Sequence, residues 1–225
     1  MSGKSIEQNI KEVINASSRA ISKDKNLTVE IDINQDLSSA GHNSKKNSLS
    51  LKISRGDADK QALLKKYSLL ENPIKKTGIS ELDNLLLEFE SVRTEILGSR
   101  DFLGVKENLR NLFLQNLSKQ TLENEQDALK IAMEISLKNN LLNQENNKLE
   151  EVFLKPWKEQ MSSAEEDFVA INEVLDDKEK FNEQLIKLFE KLGLEFENPE
   201  FEEPKSDNEE NSEEEESEDS SDQEE

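Results

Sequence analysis

The sequence predicts a mainly α fold with a small antiparallel two-stranded β element (an α+β protein) and a disordered acidic C-terminal tail. Three observations lead there. Beyond Gly56, apolar residues recur at the spacing of one helix face along most of the chain. Before it, two short stretches alternate apolar and polar residues, the pattern of half-buried strands. At the far end, residues 206–225 hold 12 acids and no base.

Ile6, Ile10, Val13, Ile14 and Ile21 fall at helical spacing and predict an amphipathic helix over residues 5–22. The period then changes. Leu27, Val29, Ile31 and Ile33 alternate with Thr28, Glu30 and Asp32, and Leu49, Leu51 and Ile53 alternate again. The polar stretch from Gln35 to Asn47, which holds Gly41, reads as a long loop joining two antiparallel strands. A helix over 58–71 follows, capped by Ser54 or Asp57 and ended by Asn72-Pro73. Ser80 with Asp83 resembles a capping box that starts a helix running to about Arg100. Gly98 and Gly104 bracket a break. Further helices are predicted at 105–117, 121–146, 160–175 and 178–192, with Gly193 as a C-cap. Pro199 and Pro204 mark the exit from the ordered part, giving a helical domain over 1–201 and a tail or linker over 202–225.

Composition excludes several functions. The 225 residues carry a net charge of −21, the wrong sign for gripping nucleic acid through its phosphates. No apolar run is long enough for a membrane span, and Met1-Ser2-Gly3-Lys4 leads into no apolar core of an export signal. Cysteine is absent, which removes disulfides and thiolate chemistry and fits a reducing cytoplasm. The block Glu213 to Glu216 has no apolar surface to bury and repels itself, so the tail is expected to be extended and solvated.

Catalytic signatures are missing too. There is no P-loop, no G-x-S-x-G and no H-E-x-x-H. His42 is the only histidine and sits in the predicted loop, so a nitrogen- and sulfur-ligated metal site within this chain is not expected. The D-x-S-x-S metal-adhesion motif of von Willebrand A modules is likewise absent.

One helix stands out. Leu82, Leu85, Leu86, Phe89, Val92 and Ile96 form a single apolar stripe along residues 79–100. Arg93 and Arg100 fall inside or beside that stripe, one above the other, and Glu90 lies one turn before Arg93. A core-facing guanidinium must find carboxylates or carbonyls, because an unpaired buried charge is very costly. The chain has 24 Lys but only 5 Arg, and four of these (Arg55, Arg93, Arg100, Arg110) lie between residues 55 and 110. Arginine makes a planar bidentate fork that lysine cannot. Arg55, Glu90, Arg93, Glu95 and Arg100 are therefore the candidate site residues. They form either a structural salt-bridge network or a subunit or anionic-ligand contact.

Several segments, taken in order, resemble the N-terminal region of the CobT subunit of aerobic, ATP-dependent cobaltochelatases. They are Ser54-Arg55-Gly56-Asp57-Ala58-Asp59 with Ala62-Leu63, then Glu90 to Arg100 continuing into Gly104-Val105-Lys106-Glu107-Asn108-Leu109, then Lys155-Pro156-Trp157. The second is similar to the family pattern E-x-x-R-x-E-x-x-G-x-R…G-V-x-x-N-L and is the most specific. The similarity spans about residues 5–195, and the acidic run after it also fits. Where the family carries a His-Asp pair after the first segment, this chain has Lys65-Lys66-Tyr67. In the family the acidic stretch leads to a C-terminal von Willebrand A domain, and here the sequence stops inside that stretch.

The resemblance implies an auxiliary subunit, without catalytic, metal or nucleotide residues of its own, in a ligase that inserts Co²⁺ into hydrogenobyrinic acid a,c-diamide during cobalamin biosynthesis. ATP and Mg²⁺ would be used by the complex. The implied partners are a CobS-type AAA+ subunit that hydrolyses ATP, a CobN-type large subunit that holds corrin and metal, and further copies of the chain itself. A different expectation rests on the tail alone: a non-enzymatic interaction protein or chaperone for basic clients.

Overall fold

A computed structural model describes residues 5–31, 44–68, 77–122, 124–194 and 196, apart from the side chains of 44–50. Nine α-helices and one 3-10 turn are found among these residues: α1 (Ile6–Ser22), α2 (Ser44–Tyr67), α3 (Ser80–Asp101), α4 (Val105–Lys119), α5 (Glu125–Leu142), α6 (Lys148–Leu154), the turn Lys155–Trp157, α7 (Lys158–Ser163), α8 (Glu165–Glu173) and α9 (Lys178–Lys191).

No strand occurs among the described residues, so the expected two-stranded β element is wrong. Leu49, Leu51 and Ile53 lie inside α2. Three alternating residues also fit a helix, since positions 49 and 53 are four apart. No Gly or Pro interrupts 44–55, and extending a helix already nucleated downstream costs little. Leu51 is 43% exposed, so the alternation there does not mark a buried face. In the first stretch the alternation does appear in burial: Val29 is buried, Leu27 and Ile31 are half-buried, and Thr28 and Glu30 are not. With no partner strand there is no ladder, and the Val29 amide donates instead to Asn15 Oδ1 at 2.9 Å. Asp32 to Asn43, which includes most of the expected loop, lies outside the described residues, as do residues 197–225 with the expected boundary near 201.

Other boundaries shift for identifiable reasons. Ser54 and Asp57 are interior to α2 rather than caps. The Ser80–Asp83 box is not formed. Ile79 holds the N-cap position, and Asp83 Oδ1 reaches back to accept from both the amide and the hydroxyl of Thr77, each at 2.8 Å. The helix expected at 121–146 starts after Asn124, whose side chain accepts from the Asp127 amide. It stops at Leu142 because Asn143 turns left-handed at φ 49°. The helix α6 was not anticipated, although Asn147 and Glu150 form a reciprocal capping box that the sequence displays. The predicted helix over 160–175 is split at Ala164. Gly193, at φ +80°, follows α9 in the left-handed conformation favoured just past a helix end.

The apolar stripe of α3 is buried as a unit. Leu82, Leu85, Leu86, Phe89, Val92 and Ile96 pack with residues of α5, α8 and α9 in the largest core cluster. There the Phe89 and Phe189 rings meet edge-on, with centroids 5.3 Å apart. A second, smaller cluster joins Ile21 of α1, Ala62 and Leu63 of α2, and Val105 and Leu109 of α4. Helices press closely at two glycines, α2 on α4 and α3 on α2. A Cβ on Gly56 would strike the Asn108 carbonyl of α4, and one on Gly98 of α3 would strike the Leu63 side chain of α2.

Candidate functional site

α3 is covered by α2, α4, α5 and α9, so polar residues on several of its faces are enclosed. The Arg93 side chain is 3% exposed and that of Glu90 2%. Three residues apart on one helix, they meet as a bidentate pair: Arg93 Nε donates to Glu90 Oε2 at 2.8 Å and Nη2 to Oε1 at 3.0 Å. The same guanidinium donates to the Leu175 carbonyl at 2.9 Å and the Tyr67 carbonyl at 3.0 Å. It lies 6.0 Å from the centre of the Phe181 ring. Lys178 Nζ stands 3.8 Å from Glu90 Oε1. One side chain thereby ties α3 to the end of α2 and to the turn between α8 and α9. Lysine could not make those bonds from a single ammonium.

Glu95 points elsewhere, because two residues along a helix is a rotation of about 200°. It is also buried. Lys138 of α5 donates to it at 2.7 Å and Lys60 of α2 at 3.0 Å, while Lys138 is shared with Glu134 at 2.7 Å. The Lys138 ammonium also lies 4.3 Å from the centre of the Phe113 ring. Burial alone would raise the Glu95 carboxyl, but the two ammonium groups outweigh it and hold the group below its ordinary range. Burial likewise opposes the charge on Lys138, and Glu134 and Glu95 overcome it, so its ammonium is held well above the ordinary lysine value.

A carboxyl depressed in the folded state contributes stability that is present above its unfolded value of about 4.3 and is lost as pH falls through the lower folded value. In urea titrations, Glu95→Gln should lower the unfolding midpoint at neutral pH and flatten its fall below about pH 4. A variant with the full acid slope would mean that other carboxylates carry it.

Arg100 departs from the expected inward stack. It is exposed, and its Nη2 donates to the Leu141 carbonyl at 2.8 Å and to Asn172 Oδ1 at 2.6 Å. It shares a face with Arg93 but occupies the last turn of α3, where the helix leaves the core. Arg55 belongs to a third group. Its Nε donates to Asp59 Oδ1 at 2.9 Å, and it also bonds Ser17 of α1. Asp59 is fully buried, and its other oxygen accepts from Asn108 of α4 at 2.9 Å. Arg110 donates to Glu150 Oε2 at 2.7 Å, to the Glu145 carbonyl at 2.9 Å, and to Asn139 and Gln144.

The five candidate residues thus divide among separate groups, and only Glu90 and Arg93 meet. Sequence reading missed Lys60, Lys138, Asp59, Asn108 and Glu150. Two of the quoted segments signalled Asp59 and Asn108 without their pairing. Nothing marks Lys138 among 24 lysines. A cleft of about 470 Å³ opens between α3, α4 and α5, with Glu95 and Lys138 on its wall. An ionised buried carboxylate and a strongly protonated amine suit bracing rather than proton transfer or nucleophilic attack. Among the described residues, no three His, Cys, Asp or Glu side chains come together as a metal site, and no helix is long and apolar enough to cross a membrane.

Two of the segments carrying the family resemblance meet in space. Gly56 and Asp59 of the first abut Asn108 at the end of the second. In comparisons with known proteins, no curated protein and no solved structure matched the chain. A family model, that of the cobalamin biosynthesis protein CobT, matches residues 4–225. Nearly the whole sequence is covered by that match, and the chain belongs to the CobT family.

Proposed function

We propose that this chain is an auxiliary subunit of an ATP-dependent cobaltochelatase, which inserts Co²⁺, its metal substrate, into hydrogenobyrinic acid a,c-diamide. In this reading a CobS-type AAA+ subunit binds ATP and Mg²⁺ and hydrolyses the nucleotide, and a CobN-type large subunit holds the corrin. Several copies of the present chain assemble with the AAA+ ring in the cytoplasm. The observation that carries the reading is the family match over residues 4–225. The geometry supports it: charge-assisted bonds from Arg93 and Glu95 tie α2, α3, α5 and the α8–α9 turn into one unit that can pass on a displacement. Such a relay acts only if the chain binds two states of the ATPase with different affinity.

Reconstitution tests this directly. With the AAA+ subunit, the large subunit, ATP, Mg²⁺ and Co²⁺ present, cobalt insertion should require this chain. Full activity in its absence would end the proposal. The tail bears on the chaperone alternative. Deleting 206–225 removes 12 acids, so binding to basic proteins at low salt should fall while assembly with the ATPase subunit stays as it was. Loss of assembly on that deletion would instead place the partner contact in the tail.

A further inference from the structure

We propose that the outward face of α1 is a contact between two copies of this chain, which pair α1 against α1, antiparallel, about a two-fold axis. The contact needs neither the ATPase nor the large subunit, so it goes beyond the subunit reading and is tested on the purified chain.

The apolar residues of α1 do not share one destination. Ile14 and Ile21 are buried against α2. Ile6 and Val13 turn away from that contact and are 80% and 65% exposed. Asn9, Ala16 and Ala20 are exposed beside them. Positions 6, 9, 13, 16 and 20 step by four and three in alternation, the spacing that forms the seam of a two-helix coiled coil. The β-branched Ile6 and Val13 give that seam its apolar bulk, and the alanines let a second helix come close. On one side the apolar surface widens, because Ile6, Ile10, Val13 and Leu51 of α2 border a hollow of about 450 Å³. Among the described residues, α2 and the segment Leu27–Ile31 pack on α1 but leave this face open.

The charges beside the seam select a second copy as its occupant. Glu12 and Arg19 stand seven residues apart and border the seam on the same flank. When two α1 helices lie antiparallel with Val13 of each over Ala16 of the other, each Glu12 comes to the other copy's Arg19, so one symmetric contact makes two ion pairs. The Arg19 side chain is half-buried and, among the described residues, makes no hydrogen bond or ion pair of its own. The other charges near this face are matched within the fold: Glu7 with Lys11 at 2.8 Å, Lys52 with Glu107, and Arg55 with Asp59 at 2.9 Å. Lys23, the C-cap of α1, lies past the last seam residue. With Glu12 and Arg19 of opposite sign the flank is neutral. It calls for no charged partner and is complementary to itself. The same register sets Asn9 against Ala20 of the second copy, and a polar residue in a seam holds one register at some cost in affinity.

One helix from each copy covers less than a standard interface, so the dissociation constant is expected to be roughly 10 µM. Sedimentation velocity of the full chain, over about a hundredfold range of concentration and at physiological salt where the net charge of −21 is screened, should show a monomer–dimer equilibrium. Val13→Glu should weaken it by about tenfold or more and leave the thermal midpoint of the dilute chain little changed, because the side chain is already exposed. Glu12→Arg and Arg19→Glu should each weaken self-association, since each variant sets like charges together twice. Mixing these two variants should restore dimers, because every facing pair is then of opposite sign, and the double variant Glu12→Arg/Arg19→Glu should dimerise alone. A wild-type chain that stays monomeric over the whole range, a dimer indifferent to Val13→Glu, or a mixture no better than its components overturns the pairing. None of these outcomes touches the requirement for this chain in cobalt insertion, on which the subunit reading stands.

Discussion

Arg93→Lys should lower the unfolding free energy by about 2–3 kcal/mol, although charge is conserved. The guanidinium makes two bonds to Glu90 and one each to the carbonyls of Leu175 and Tyr67. A lysine ammonium at the end of a flexible stem cannot reach both Glu90 oxygens and both carbonyls at once. At least one buried acceptor is then left without a donor, which costs about 1–3 kcal/mol by itself. Urea denaturation measures the loss. Glu90→Leu/Arg93→Met, which removes the charges together, should recover part of it but not all, because the two carbonyls still lack donors. Wild-type stability in Arg93→Lys would show that the bidentate geometry contributes nothing. If Arg93→Lys folds yet supports less cobalt insertion in the reconstituted complex, the ties from α3 to α2 and to the α8–α9 turn matter for the relay as well as for the fold.

Gly56→Ala is expected to cost about 2–3 kcal/mol, against the usual sign of the change. In an open helix interior, alanine for glycine is favourable by about 1 kcal/mol. At position 56 the new methyl collides with the Asn108 carbonyl and comes within 3.0 Å of Leu112 Cβ. The main obstacle is backbone and cannot rotate away, so α2 and α4 must separate. Separation would strain the buried Asp59–Asn108 bond and the Ala62, Leu63, Val105 and Leu109 cluster. At Gly98 the obstacle is the Leu63 side chain, which has rotamers to try, so Gly98→Ala should cost less. Thermal unfolding of both variants checks the ranking. The reverse order would mean that the α2–α4 crossing opens freely.

The helical body was readable because its signals are local. The apolar stripe of α3, the glycine after α9 and the tail composition each follow from neighbours within a turn or two. The strand at 49–53 was misread because three alternating residues do not distinguish a strand from a stretch of a long helix, and Leu51, between the other two, is exposed. Glu90 and Arg93, three residues apart, could be paired from spacing, as a helix brings such positions together. Nothing local could pair Glu95 with Lys60 and Lys138, or Asp59 with Asn108, because each of those contacts crosses between helices.

Helical period and charge therefore suffice for a mainly helical body and an acidic tail, and the matching segments for a family, but not for the absence of the β element. Which buried charges find which partners was decided by packing, since it depends on how helices far apart in the chain come to rest against α3. The same holds for Arg100. Its position on the helix wheel matches that of Arg93, yet it is exposed where Arg93 is enclosed, because burial along a helix ends where the neighbouring helices do.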